Sequence, residues 1–235
     1  MNCIVYEPIQ YKDKNLKHIN TKILPKPPIR GIIVGSSGSG KSNFIKNIVF
    51  NWYKKYYDEI YIFIGSKDDA IEYRRLSKKN RMTDKVNVIS RFNLEEIEEL
   101  YTDIENDNIH NDEKTNTLFV FDDRVLNLAN KYKTNIIDEL FIKGRHARIS
   151  TIISTQRYRL LNPNLRACNA NLIVVYPSNR KELQAIAEEH SGLQEPKQFL
   201  IELQAQLKQR FKFIVLDLTK EPSQRFRNNK FLPIE

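Results

Sequence analysis

A glycine- and serine-rich stretch near the start of the chain consists of Gly35, Ser36, Ser37, Gly38, Ser39, Gly40, Lys41 and Ser42. It matches the pattern G-x-x-x-x-G-K-[ST] in full, between an apolar run at 29–34 and a helical pattern at 43–54. Glycine lets the main chain bend so closely that successive N–H groups face the oxygens of a phosphate. The stretch and its context therefore predict a phosphate-binding loop, or P-loop, and a flexible turn is the weaker interpretation.

The residues of this loop have different expected roles. Main-chain N–H groups of residues 35–42, with Asn43 at the amino end of the following helix, would bind the phosphates of ATP. Lys41 would reach the β and γ phosphates, and the hydroxyl of Ser42 would hold Mg²⁺. ATP and Mg²⁺ are thus the cofactors that the sequence predicts.

A second apolar strand ends in two acidic residues, in the stretch Thr-Leu-Phe-Val-Phe-Asp-Asp at 117–123. P-loop enzymes carry an acidic residue at this place on a neighbouring strand, the Walker B position. We expect Asp122 to bind Mg²⁺ through water and Asp123 to orient or deprotonate the attacking water. A turn or a helix cap is the alternative role for such a pair, but its combination with Lys41 and Ser42 favours catalysis.

A third apolar strand, at 149–154, leads into Thr155 and Gln156. In a parallel sheet this end of the strand lies beside the nucleotide, so Gln156 would contact the γ phosphate or the attacking water. A polar strand end without such a role is the alternative. Arg145 and Arg148 precede the strand, and an arginine inserted into a neighbour's site would stabilise the transition state. They would otherwise be ordinary surface bases.

Short apolar runs alternate with helical patterns along the chain. Predicted strands span 29–34, 59–64, 86–90, 117–121, 149–154, 171–176 and 211–218. Further helical patterns cover 93–105, 180–190 and about 196–209, with a polar loop at 106–116. This alternation predicts an α/β fold with a mostly parallel central sheet and helices on both faces. We expect one ATPase domain at 29–218, after an extended lead-in at 1–28 and before an extended tail at 219–235.

Composition limits the partners and the compartment. The formal net charge of +9 favours a polyanionic partner, and nucleic acid is the commonest polyanion that a basic ATPase meets. Cys3 and Cys168 are the only cysteines, so neither a disulfide framework nor a zinc-binding spacing is indicated. The chain starts without a signal-peptide pattern and has no apolar run long enough for a bilayer. We therefore expect a protein that is neither secreted nor integral to a membrane.

The order of GSSGSGKS, FVFDD, GRHARIS and IISTQ along residues 29–156 resembles the FtsK/HerA class of DNA-pumping ATPases, which have a RecA-like (ASCE) P-loop NTPase fold. The likeness is greatest to the small genome-packaging ATPases of poxvirus-like large DNA viruses and virophages. The Gly-Arg-His stretch leading into the Thr-Gln strand carries most of the specificity, since many families share the P-loop. One departure is Asp123, because cellular members commonly have Glu at that position, with a longer reach to the water.

This resemblance implies an ATP-driven translocase that packages double-stranded viral DNA into a preformed capsid. It also implies a ring of six subunits or another small number, with a capsid or portal-vertex protein as a partner. Such a protein would act in the host cytoplasm or at the viral assembly site, or remain associated with the virion. Arg145 is the first candidate for the arginine that acts across the subunit boundary, and Arg148 is the second.

Two groups of basic residues are candidates for DNA contact in such a ring. They are Arg74, Arg75, Lys78, Lys79 and Arg81 in one stretch, and Arg157 with Arg159 after Gln156. A channel needs only phosphate contacts, so binding through these residues would depend strongly on salt and little on sequence. Basic helical faces are also commonly plain solvated surface.

Other functions share part of this pattern. A helicase-like or conjugative DNA pump belongs to the same class, a nucleotide-gated scaffold would bind ATP without turnover, and a small-molecule kinase would not respond to DNA. A GTPase would need Asn-Lys-x-Asp, whereas residues 130–133 read Asn-Lys-Tyr-Lys. A large-terminase motor usually carries a nuclease domain as well, for which 235 residues leave no room.

Overall fold

The computed structural model describes residue 16 and residues 19–20, 24–91, 93–122, 136–192 and 194–234. One eight-stranded sheet forms its centre. The strands are β1 (Arg30–Val34), β2 (Glu59–Phe63), β3 (Val86–Ile89), β4 (Thr117–Phe121), β5 (Ile149–Thr155), β6 (Leu172–Val175), β7 (Ile214–Asp217) and β8 (Phe226–Arg227). Their order across the sheet is β3-β2-β4-β5-β1-β6-β7-β8.

The α-helices of the described residues lie between these strands. They are α1 (Lys41–Asn47), α2 (Lys67–Lys79), α3 (Leu94–His110), α4 (Ile136–Lys143), α5 (Arg180–His190) and α6 (Pro196–Gln206), and a π-helical turn, Ile48–Trp52, continues α1. Helices α2, α3 and α5 have the N-cap residues Ser66, Asn93 and Asn179, whose side chains each accept a hydrogen bond from a main-chain N–H of the first turn. Such caps satisfy N–H groups that have no partner within the helix.

Helices cover both faces of the sheet. Alternate residues of each central strand point to opposite faces, so each strand contributes side chains to both layers of helices. In β1, Ile32 and Val34 belong to a core cluster that includes side chains of α3 to α6. Ile33 belongs to the other cluster, with side chains of α1 and α2. Burial on both sides explains why the strands read as continuous apolar runs. The predicted α/β class, with a mostly parallel sheet of the P-loop NTPase type, is confirmed.

Strands β1 to β6 pair in parallel with one another, and β7 and β8 add two antiparallel pairs at one side. Strand β5 lies between β1 and β4, with Val34 in register with Thr155 and Phe121 in register with Ile153. We call the edge where the parallel strands end the carboxyl edge and the opposite one the amino edge. Residues that follow β1, β4 and β5 therefore meet at the carboxyl edge.

Helix α3 is longer than its periodicity predicts. The sequence predicts a loop at 106–116, but the helix continues to His110 and only residues 111–116 are irregular. Asn108 explains the difference, because this buried side chain donates hydrogen bonds to the carbonyl oxygens of Thr115 at 3.0 Å and Ala147 at 2.7 Å. A polar side chain with satisfied hydrogen bonds can lie in a core, and the sequence alone does not reveal its partners.

The chain after β7 differs from the extended tail predicted at 219–235. Residues Pro222–Gln224 form a short 3-10 turn, and β8 pairs with β7, which is itself shorter than the strand predicted at 211–218. Phe231 is 8% exposed, with its ring centroid 5.4 Å from that of Trp52. Aromatic contacts thus hold this segment against the domain. The predicted lead-in at 1–28 falls largely outside the described residues.

Membrane insertion through a helix finds no support in the described part of the chain. No helix there combines the length and the apolar character that crossing a bilayer requires.

Replacing Phe231 with alanine tests the packing of the carboxyl-terminal segment. We expect Phe231→Ala to lower the free energy of unfolding by about 3 kcal/mol, because it removes a buried ring from contact with Trp52, Phe44 and Phe213. The neighbouring Leu232 is 55% exposed, and Leu232→Ala should change the free energy of unfolding by less than about 0.5 kcal/mol. Urea denaturation of both variants measures the difference, and equal effects would contradict this packing.

Candidate nucleotide-binding site

The predicted phosphate loop follows β1 at the carboxyl edge. The main-chain N–H of Gly35 donates to the carbonyl oxygen of Thr155 in β5 at 3.2 Å. That of Ser36 donates to the carbonyl oxygen of Pro177, just after β6, at 3.0 Å. These two bonds attach the start of the loop to both strands that flank β1.

The conformation of the loop favours glycine at three positions. A Cβ at Gly35 would lie 2.5 Å from the Cβ of Tyr176 and 2.7 Å from the Oγ of Ser39, closer than atoms pack. Gly38 and Gly40 have φ angles of +69° and +113°, which side-chain-bearing residues rarely adopt. The glycines of the sequence pattern therefore follow from the conformation of the loop itself.

Lys41 is the first residue of α1 and is 9% exposed. Its ammonium group donates to the carbonyl oxygens of Gly35 at 2.7 Å and Ser36 at 3.0 Å. The positive charge is thus held over the start of the loop, where it can neutralise phosphate oxygens. Ser42 and Asn43, the next two residues of α1, are exposed.

Asp122 directly follows β4 at the same edge, and its main-chain N–H donates to the carbonyl oxygen of Phe63 at 3.1 Å. Leu118 and Val120 of β4 face the core cluster of α1 and α2, so strand alternation puts Asp122 on that face too. Burial, and then the charge of Asp122, raise the pKa of the Tyr73 phenol in α2. Asp122 and Ser42 therefore share an edge and a face of the sheet.

Hydroxyl and carboxylate oxygens are the donors that Mg²⁺ prefers, so Ser42 and Asp122 fit this ion. Within the described ranges, no three or more His, Cys, Asp or Glu side chains converge as a metal site. In proteins Mg²⁺ commonly completes its octahedral coordination with phosphate oxygens and water.

Gln156 lies beside the loop as well. It is exposed and follows Thr155, the residue whose carbonyl oxygen accepts from Gly35. The sheet thus brings the phosphate loop, Asp122 and Gln156 to one edge. Asp123 lies outside the described residues.

The predicted arginines lie elsewhere. Arg145 and Arg148 precede β5 at the amino edge, and β5 spans seven residues, so roughly 20 Å separates them from the loop. Arg145 is exposed at that edge. Burial, and then the charge of Arg145, lower the pKa of Arg30 at the start of β1. The two arginines therefore do not join the phosphate loop of their own chain.

The candidate DNA-binding residues form two separate groups. The first lies on the second half of α2 and just beyond it, and all of its members are exposed: Arg74, Arg75, Lys78, Lys79 and Arg81. Arg157 and Arg159 are also exposed, but they follow β5 at the carboxyl edge. Because α2 runs back from the carboxyl edge, its basic residues lie toward the amino edge.

Aromatic residues beside the loop were missed by sequence reasoning. Rings of Tyr176 and Phe211 lie 3.2 and 3.5 Å from where a Cβ on Gly40 would be. Tyr176 ends the strand predicted at 171–176 and Phe211 begins the one predicted at 211–218, so the sequence does place both residues at strand ends. Nothing in the pattern, however, indicates that two strand termini 35 residues apart in the sequence would meet the loop between β1 and α1.

Fold and site together define a P-loop NTPase. The chain belongs to the family described as Poxvirus A32 protein, which it matches over residues 16–212. No curated protein sequence matches it.

Solved structures support the same fold. B204, the DNA-packaging ATPase from Sulfolobus turreted icosahedral virus, is 22% identical with a TM-score of 0.62, over 89% of this chain and 99% of that one. The genome packaging NTPase B204 from Sulfolobus turreted icosahedral virus 2, in complex with AMPPCP, is 23% identical with a TM-score of 0.59, over 89% and 100%. EssC (ATPases 2 and 3) from Geobacillus thermodenitrificans is 16% identical with a TM-score of 0.51, over 68% and 34%.

The two positive-φ glycines of the loop should differ in their tolerance of alanine. Gly40→Ala should weaken binding of a non-hydrolysable ATP analogue about tenfold or more, because φ of +113° excludes alanine and the Cβ would press on Tyr176. Gly38→Ala should weaken it about fivefold at most, since its φ of +69° is the left-handed helical region and no atom lies within 4 Å. Calorimetric titration measures both affinities, and equal losses would contradict the loop geometry.

Proposed function

We propose that this chain is an ATPase that pumps double-stranded DNA into a viral capsid. The observation that carries the proposal is membership of the Poxvirus A32 protein family over residues 16–212. The sequence resemblance to viral genome-packaging ATPases supports it, as does the similarity in fold to B204, a DNA-packaging ATPase whose structure has been solved in complex with AMPPCP. The phosphate loop, Asp122 and Gln156 lie at one edge of the sheet, which is the arrangement that ATP hydrolysis requires.

Each group at the carboxyl edge has a role in hydrolysis. Main-chain amides of the loop bind the phosphates, and Lys41 neutralises the β and γ oxygens. Ser42 and Asp122 would hold Mg²⁺, which, when bound, offsets charge on those oxygens. Gln156 contacts the γ phosphate or the attacking water. Asp123 is the candidate base that orients or deprotonates this water.

Completion of the site requires a second subunit in this proposal. Arg145 is exposed at the amino edge, next to the positive charge of Arg30 and roughly 20 Å from its own loop. The proposal requires that, in a ring of six subunits or another small number, the amino edge of one subunit faces the carboxyl edge of its neighbour. Arg145, or Arg148 as the second candidate, then stabilises the transition state in the neighbour's site.

DNA contact in this proposal is electrostatic. The exposed basic half of α2 supplies one group of cations, and Arg157 with Arg159 supplies another. Both bind phosphates, which suits movement along DNA of any sequence. A capsid or portal-vertex protein anchors the ring, and the host cytoplasm or the viral assembly site is the place of action.

Two alternatives make different use of the same loop. A helicase-like or conjugative pump keeps the ring and the DNA but not the capsid. A nucleotide-gated scaffold or a small-molecule kinase keeps only nucleotide binding. No feature of the described residues favours either over packaging.

Duplex DNA should raise the ATPase rate of the purified chain. Stimulation should fall steeply between about 50 and 200 mM salt, because phosphate contacts release counterions. Steady-state phosphate release measures the rate, and Lys41→Ala should remove both basal and stimulated turnover. A rate that DNA leaves unchanged at every salt concentration would favour the kinase or scaffold.

Mixing two inactive variants tests the arginine across the boundary. Arg145→Ala and Lys41→Ala should each lose activity, on the order of 10³-fold or more for a transition-state arginine. A mixture should recover part of the rate, since one subunit supplies the arginine and the other an intact loop. Absence of recovery from folded, co-assembled mixtures would exclude Arg145, and the same experiment with Arg148→Ala would then test the second candidate.

A further inference from the structure

A cavity of about 300 Å³ opens directly beside the phosphate loop. Its walls include Gly40 and Asn43 at the amino end of α1, together with Tyr176, Phe211, Phe213 and Phe231. Ligand pockets span about 300 to 1,000 Å³, so this one suits one part of a nucleotide better than all of it.

The floor of the cavity is a cluster of packed aromatic rings. The ring of Phe213 lies with its centroid 5.2 Å from that of Tyr176 and 5.2 Å from that of Phe44 in α1. Tyr176 is 3% exposed and its main-chain N–H donates to the carbonyl oxygen of Val34, so it is fixed to the end of β1. Ring packing and this hydrogen bond therefore place the apolar surface next to the loop.

Phe211 forms the open lip of the cavity, and two of its properties are unusual. Its side chain is 54% exposed, although it is a large apolar ring. Its φ is +66°, a conformation that is strained for any residue except glycine. Strained backbone persists where the surrounding structure enforces it, and it is concentrated at binding sites. The guanidinium of Arg210 lies 4.8 Å from the ring centroid.

Polar groups complete the lining. The side-chain amides of Asn43 and Asn229 border the cavity and have no hydrogen bond within the part of the chain that the structure describes. An amide offers both donors and an acceptor, which is the combination that a purine edge pairs with. Aromatic rings with free amides at the rim thus match the two faces and the edge of a nucleobase.

We propose that this cavity holds the base of the bound nucleoside triphosphate, with Phe211 as the ring on which the base stacks. The position fits, because the α phosphate lies against the amino end of α1 and the nucleoside continues outward from it. Gly40 and Asn43 border both regions. This inference rests on nucleotide binding in the proposed function, but it is independent of DNA and of the ring.

Titration with two ligands separates the base from the phosphates. Phe211→Gly should weaken binding of a non-hydrolysable ATP analogue about 5- to 100-fold, the range that loss of base–aromatic stacking gives. Affinity for inorganic tripolyphosphate, which has no base, should stay within about twofold because the loop is intact. Glycine accepts the positive φ, so the melting temperature of the variant should not fall.

Two further variants complete the design. Phe211→Trp keeps an aromatic face and should retain the analogue affinity within about threefold. Ile201→Ala removes an apolar side chain on α6 that is 59% exposed, and it should change neither affinity. Equal losses for the analogue and tripolyphosphate, or no loss for either, would overturn the base site. If the wild-type chain bound neither ligand, the phosphate-loop proposal itself would fail, and the base site with it.

Discussion

Two main-chain hydrogen bonds fix the start of the phosphate loop to the strands on both sides of β1. Gly35 donates to Thr155 and Ser36 donates to Pro177, so the loop is attached to β5 on one side and to the end of β6 on the other. Strand β5 also pairs with β4, which carries Asp122 to the same edge. Neighbouring strands are about 4.8 Å apart, so Asp122 lies only two strand spacings from β1. Hydrogen-bonded pairing of β1, β5 and β4, which we call the strand ladder, therefore places the groups at the carboxyl edge.

The same ladder separates the arginines from the loop. A residue that precedes β5 must lie at the amino edge, and no rotation of a side chain spans the roughly 20 Å length of the strand. Arg145 can thus act on a nucleotide only if that nucleotide is bound to another subunit. Under the proposed function this constraint makes oligomerisation part of catalysis, because a monomer would have Lys41 but not Arg145 at the developing charge of the transition state.

Sequence reasoning was most successful where the pattern is local. Strand β4 and helix α5 have the predicted bounds, since an apolar run or a helical period contains all the information needed. The predicted end of α3 was wrong because the buried amide of Asn108 donates a hydrogen bond to the carbonyl oxygen of Ala147, 39 residues away. Phe231 and Phe211 were likewise not recognised, because their contacts with Trp52 and Gly40 exist only after the sheet has formed. The sequence pattern does not reveal which distant residues a single side chain contacts.

Charge is distributed unequally between the faces of the sheet, and this limits how DNA can approach. Helix α3, on one face, has no Lys or Arg and carries Glu95, Glu96, Glu98, Glu99, Asp103, Glu105 and Asp107. Helix α2, on the other face, ends in a basic half. Since the whole chain has a net charge of +9, the surface away from α3 is more positive than that figure suggests. A polyanion is repelled by α3 and attracted to the basic half of α2, so under the proposed function the surface of α3 is not expected to line the DNA channel.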